Sequence, residues 1–224
     1  RGWGKCCIVG CEALNINCIK PKHKESFVVL EGGAIDVNGC GTLIATEECL
    51  LDKTIQVRNP YFGKDDYESI FNKYFGVTNT IWLKKGIEGD DTHGHVDDIC
   101  RFVNKETVLA CVEENKKDIN HKILSANLKI LKQSKLENGK ALKVVEIPMP
   151  SRIDFDNYRL PASYVNFLIT NGSVLVPVFN DVNDYTAIKI FRDLFPQHEV
   201  IGIYAKDLVL GLGTLHCLSR EITK

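Results

Sequence analysis

Three stretches of this chain repeat one order of apolar and polar positions. Residues 33–48 (GAIDVNGCGTLIATEE), 99–115 (ICRFVNKETVLACVEEN) and 165–181 (VNFLITNGSVLVPVFND) each read as an apolar strand, a polar turn, a second apolar strand and an acidic exit. The turns recur at about 65-residue spacing, longer than the unit of a small solenoid. After each hairpin, apolar residues fall at three- and four-residue steps, which predicts helices over 67–74, 123–131 and 185–194. A short apolar run then predicts a closing strand at 81–83, 143–147 and 200–204. The pattern is a β-β-α-β module written three times, an α+β architecture in one domain over residues 1–224. The first 26 residues fit no complete module.

Composition narrows the class without naming a chemistry. The 224 residues are 44% hydrophobic and 25% charged, as in an ordinary globular protein with one substantial core. A formal net charge of −1 offers no electrostatic footprint for nucleic acid. No apolar run approaches the ~20 residues needed to span a bilayer. The opening RGWGKCCIVG lacks the charged, apolar and small-residue order of a signal peptide, so a cytoplasmic protein is expected. The chain begins at Arg1 rather than Met, as a fragment or a processed product would. Its nine cysteines are odd in number, irregularly spaced and without a CxxC pair. That favours reduced thiols, most of them buried as small hydrophobes. Cys6, Cys7, Cys11 and Cys18 form the one local cluster, and they lack the spacing typical of zinc.

Candidate chemistry lies in two glycine-rich segments, GDDTHGHVD (89–97) and GLGTLHC (211–217). Together they supply a nucleophile, a general acid/base and carboxylates. A thiolate with an imidazole partner suits attack on a cationic electrophilic carbon, and carboxylates grip a guanidinium through paired, charge-assisted hydrogen bonds. Cys217 follows a glycine-rich turn, where it can be exposed beside backbone N–H groups; an isolated cysteine is more often structural. His95 titrates in the range a proton shuttle needs, although an isolated turn histidine is more often a capping group. In an extended segment Asp97 shares a face with His95, whereas His216 points away from its neighbour Cys217 and is a poor base. Glu31 precedes two glycines that let backbone approach closely, and if buried it needs a compensating partner; the alternative is a solvated turn glutamate. Asp90 and Asp91 suit turn or cap positions equally well. A different reading takes His93, His95, Asp97 and Cys217 as a zinc set.

Four blocks carry a family resemblance. Residues 29–51, 81–103, 161–172 and the terminal GLGTLHCLSRE resemble the agmatine deiminases, within the wider Porphyromonas-type peptidylarginine deiminase family. They occur in the family's order, from about Phe27 to the C-terminus. The resemblance implies a pentein fold, a pseudo-fivefold ring of ββαβ units around a central active site, of which three modules form an incomplete part. It implies Cys217 as nucleophile, His95 as acid/base, and Asp97 and Glu31 as catalytic carboxylates that also hold substrate, with Asp91 and Gly213 among the substrate contacts. It implies no metal and no organic cofactor.

The reaction implied is hydrolysis of agmatine to N-carbamoylputrescine and ammonia through a covalent thiouronium, which in bacteria and plants feeds putrescine biosynthesis. Arginine or peptidyl arginine would present the same guanidinium. The family usually has glycine where Leu212 stands, asparagine at Thr214 and an acidic residue at His93. Its Arg-Asp-x-Gly-Pro segment has no counterpart here, and GWG at residues 2–4 resembles an element that follows that segment. A partial ring that binds without turnover is the alternative, and its open edges would favour oligomers.

Overall fold

The computed structural model describes residue 13 and residues 15–220. A small antiparallel hairpin, β1 (Lys22–His23) and β2 (Ser26–Phe27), leads into three three-stranded sheets. The first sheet contains β3 (Ile35–Val37), β4 (Thr42–Thr46) and β5 (Asn79–Leu83), with helices α1 (Glu47–Leu51) and α2 (Lys64–Phe75) between its last two strands. The second contains β6 (Cys100–Asn104), β7 (Thr107–Val112) and β8 (Lys143–Pro148), with α3 (Ile119–Gln133) before β8. A hairpin of β9 (Asp154–Phe155) and β10 (Tyr158–Arg159) follows. The third sheet contains β11 (Leu168–Ile169), β12 (Ser173–Val178) and β13 (Glu199–Tyr204), with α4 (Asp184–Leu194) before β13. In every sheet the first two strands are antiparallel and the third runs parallel to the second. A parallel return needs a long crossover, which is why each module carries its helix at that point.

The helices are longer than the apolar pattern alone predicts, because polar residues begin them. Asp66 accepts from the Gly63 N–H at 3.0 Å, and Asp118 caps α3 through the Asn120 N–H at 2.8 Å. Each helix then lays a narrow stripe on its sheet: Tyr67, Ile70 and Phe71 from α2, Leu124 and Leu131 from α3, Ala187 and Phe191 from α4. Phe191 meets Phe167 edge-on at 4.9 Å between ring centroids. Burying each such aromatic side chain contributes on the order of 1.5–3 kcal/mol.

Polar side chains lock the modules together. On α3, buried Asn127 accepts from the Lys84 N–H at 2.9 Å and donates to the Lys85 carbonyl at 2.8 Å, and Asn120 accepts from the Glu88 N–H at 2.8 Å. The helix of the second module thus holds the chain that leaves β5 towards His95. Glu137 binds the Thr42 hydroxyl at 2.6 Å and Asn38 Nδ2 at 3.0 Å. Asp36 on β3 accepts from the Phe102 N–H at 2.6 Å and from Arg101 Nε at 3.4 Å. Arg101, on β6, also donates to the Phe167 carbonyl and lies 4.4 Å from the centre of the Phe167 ring. One guanidinium therefore joins all three modules.

Some sequence expectations need correction. The segment holding Asp97 is a 3-10 turn (Val96–Asp98), not an extended strand, because the chain must turn sharply from the 89–95 loop into β6. The first strand of the third module shrinks to two residues, since the chain ahead of it turns at Ser163 to Asn166, where the Asn166 N–H bonds the Ser163 carbonyl. Helix α1 and both small hairpins were not signalled by periodicity. Cys49, Cys100 and Cys111 are buried as expected, but Cys18 and Cys40 are exposed. Cys6, Cys7, Cys11 and the GWG element lie outside the described residues. Among the described residues no helix is long and apolar enough to cross a membrane.

Replacing Arg101 by alanine removes a buried donor from the Phe167 carbonyl and the counter-charge from Asp36, which among the described residues keeps only the Phe102 N–H. The expected outcome is a loss of about 3–5 kcal/mol in urea unfolding, far beyond that of an exposed arginine such as Arg152.

Candidate functional site

Segments that enter the first strand of each module converge on one cluster. Glu31 precedes β3, His95, Asp97 and Asp98 precede β6, and Asn166 precedes β11, while Cys217 arrives on the turn after β13. The structure brings Glu31, His95, Asp97 and Cys217 together. His95 Nε2 lies 3.9 Å from Glu31 Oε2, and its Nδ1 lies 4.0 Å from Asp97 Oδ1. Cys217 Sγ is 3.4 Å from Asp97 Oδ2. The 3-10 turn, not strand alternation, is what keeps Asp97 beside His95.

Glycine makes this packing feasible. A Cβ on Gly33 would stand 2.6 Å from His95 Nδ1 and 2.8 Å from both Asp97 oxygens, so only a hydrogen fits there. Gly213 performs the same service for the segment carrying Cys217, where a Cβ would lie 2.7 Å from Cys217 Cβ. Gly213 is thus placed against Cys217 and makes room for it. Leu212, just before, occupies the left-handed region at φ 63°, a conformation glycine adopts without strain.

The carboxylates divide by role. Asp90 organises the loop: one oxygen accepts from the Gly94 and His95 N–H groups at 2.9 and 2.8 Å, and the other from Thr92. Asp91 is exposed at the residue level, although its carboxyl group is partly shielded; that partial desolvation and the nearby Asp90 raise its pKa. Glu31 is held by Arg58, whose Nε donates at 3.0 Å, while Asn59 fixes the neighbouring backbone by bonding Val29 in both directions. Burial works to raise the Glu31 pKa, but the cationic His95 and Arg58 outweigh it and hold the group at about 2. Asp97 has no solvent exposure, yet His216, which reaches it through Nδ1 at 2.7 Å, and His95 keep its pKa below the ordinary value. Beside it, Asp98 moves the other way: burial and the charge of Asp97 push it well above the usual carboxylate range.

His95 and Cys217 both depart from their ordinary titration. Burial alone would lower the His95 pKa, but Cys49, Glu31 and Asp97 raise it from 6.5 to about 10, so the ring carries its proton at neutral pH. Cys217 does not have the low pKa expected from a nucleophile with a histidine partner. Burial, then the charges of Asp98 and Asp97, push its thiol up, and the histidine next to it in sequence binds Asp97 instead.

Arg58, Asp98 and Asn166 escaped the sequence reading. Asn166 had a signal: it is the polar residue ahead of the third module's first strand, as Glu31 and Asp97 are in theirs. The zinc set proposed from HxHxD does not form one cluster. His93 turns to Asp52, 2.9 Å away, and the close ligand groups among the described residues are Glu31–Cys49–His95 and Asp97–Asp98–Cys217.

The sequence matches the family of Porphyromonas-type peptidyl-arginine deiminases over residues 2–222. The chain belongs to that family. Among its relatives, the agmatine deiminase of Stutzerimonas stutzeri is 35% identical over 89% of this chain and 58% of its own, and that of Pseudomonas fluorescens 35% over 98% and 63%. The chain therefore spans about three-fifths of the length of these curated relatives. Its mixed α/β fold is shared with two solved agmatine deiminases. One, from Enterococcus faecalis, gives a TM-score of 0.84 at 30% identity over 94% of this chain and 60% of that one. The other, from C. jejuni with substrate bound, gives 0.81 at 31% over 92% and 58%. The family is the one the sequence blocks resemble.

Two outcomes follow for the site. Gly33→Ala should displace His95 and lower thermal stability, by about 1–3 kcal/mol for a forced side-chain shift in a tight core. A histidine whose folded pKa is about 10 rather than 6.5 adds stability that is complete below pH 6.5 and lost as pH rises towards 10. The stability difference between the parent and His95→Gln, followed by urea unfolding, should shrink across that window.

Proposed function

We propose that this chain is the site-bearing part of an agmatine deiminase, which hydrolyses the guanidinium of agmatine to N-carbamoylputrescine and ammonia. The observation that carries the reading is a pair of buried, unpartnered atoms. Asp97 Oδ1 and His95 Nε2 have no hydrogen-bond partner among the described residues, and Asp97 is also in contact with Cys217 Sγ. An open carboxylate oxygen suits a guanidinium N–H, and a protonated imidazole nearby suits a departing amine. The names of the relatives support agmatine, and the three ββαβ sheets together with the three-fifths coverage support three modules of a five-module ring.

On this reading the carboxylates do two things in turn. In the free site they keep Cys217 protonated. A cationic guanidinium then offsets their charge, and the thiol releases its proton to solvent as substrate binds. The thiolate attacks the guanidinium carbon, forming a C–S bond. His95 gives its proton to the nitrogen that leaves as ammonia, and the neutral ring then takes a proton from the water that attacks the thiouronium. Collapse breaks the C–S bond and returns Cys217, with the ureido product released. Glu31 holds the imidazolium side of the site, fixed by Arg58.

The test is product formation and binding with agmatine. The parent should release N-carbamoylputrescine and ammonia, with turnover unchanged in excess chelator; loss of turnover that zinc restores would favour the metal reading. Cys217→Ser and His95→Ala should abolish turnover while substrate still binds. Asp97→Asn should weaken binding as well as rate, by about 2–4 kcal/mol for a desolvated charge pair. A folded parent that neither binds nor converts agmatine would identify this chain as a deiminase remnant.

A further inference from the structure

Asn166 is buried at the centre of the site, and the reaction just described gives it no task. Its amide cannot turn over. Oδ1 receives the Thr214 hydroxyl at 2.8 Å, the His216 N–H at 3.1 Å and the Cys217 N–H at 3.3 Å. These neighbours all donate, so the carbonyl oxygen must face them and the NH2 group must face the other way. On that side stand Cys217 Sγ at 3.0 Å, Asp98 Oδ1 at 3.1 Å and Asp97 Oδ2 at 3.2 Å. Two protons serve three acceptors.

The three acceptors differ in how much they need those protons. Asp97 already has His216 at 2.7 Å. Asp98 is the carboxyl group that burial and Asp97 push towards its neutral form, and a neutral oxygen is a weaker acceptor than a charged one. Sulfur changes most: once the thiol loses its proton, a full negative charge forms beside an N–H that is already aimed at it and shielded from water. A preoriented donor at a developing anion costs no reorganisation at the moment it is needed.

We propose that Asn166 is a catalytic residue that stabilises the Cys217 thiolate, and that Thr214 fixes the direction of its amide. The assignment rests on Cys217 being the nucleophile of the deiminase reading. It also gives a purpose to Thr214, buried at a position where the family resemblance implies asparagine, because its short hydroxyl reaches Asn166 Oδ1 from the nucleophile's own turn.

Substrate-free alkylation of Cys217 by iodoacetamide at a fixed alkaline pH, read by peptide mapping, reports the thiolate directly. Melting curves and agmatine turnover are measured beside it. Asn166→Ala should slow alkylation of Cys217 by about tenfold, the effect of losing one hydrogen bond to a charged group. It should lower kcat by about 100-fold with KM changed by less than about threefold. Thr214→Val, which keeps the shape and removes the hydroxyl, should slow alkylation in the same direction by less. A folded Asn166→Ala variant alkylated as fast as the parent overturns the proposal. If that variant does not fold, unchanged alkylation in Thr214→Val overturns it instead, and slowed alkylation upholds it. Slowed alkylation in a protein that never converts agmatine leaves the Asn166 assignment standing and removes the substrate assignment.

Discussion

A carboxylate shut away from water stays ionised only where neighbours replace the lost hydration, and the rest of the site depends on this being done for Asp97. It has no exposed surface, and it is held by His216 and Asn166, with His95 close by. That charge joins Cys49 and Glu31 in raising the His95 pKa, adds to burial in raising that of Asp98, and adds to burial and Asp98 in raising that of Cys217. On the proposed deiminase reading, the same negative centre that suppresses the thiolate attracts the cation that releases it. On that reading reactivity is coupled to occupancy, and a thiol kept protonated resists oxidation until substrate arrives.

The framework's task is to deliver these groups from three modules to one place without slack. Each sheet places the entrance of its first strand at the cluster, and α3, Glu137 and Arg101 fasten the modules side to side. The close approach at Gly33 leaves no spare volume between the first and second modules. A small rotation of one of these two sheets against the other would therefore press Gly33 on His95 and Asp97.

Much of this was legible in the sequence because period-two and helical patterns repeat three times, and the strands and helices formed where those patterns lie. Glu31, His95, Asp97 and Cys217 stood out from glycine-rich motifs and family resemblance, and the structure brings the four together. What escaped were partners set by the third dimension. Arg58 lies far in sequence from the acid it holds, and nothing in RNP announces that pairing. Asn166 is an ordinary residue in its block until the turn carrying Cys217 is folded over it. The raised thiol pKa of Cys217 was hidden for the same reason: GDDTHGHVD shows acids in sequence but not that Asp97 and a further aspartate would lie against the sulfur. His216, set aside as a base, proved to be the partner of Asp97.

The three entrance segments are chemically unequal although their frames match. A glutamate with two glycines, a histidine with paired aspartates and a lone asparagine precede strands that pair in the same way. The sheets do not read those side chains, since backbone pairing and the apolar stripes of the helices already define them. Such a scaffold can exchange one entrance for another and alter what it grips or how it reacts while its architecture persists. Three copies of one backbone plan, differing in a few residues before each first strand, thereby bring unlike groups to a single point.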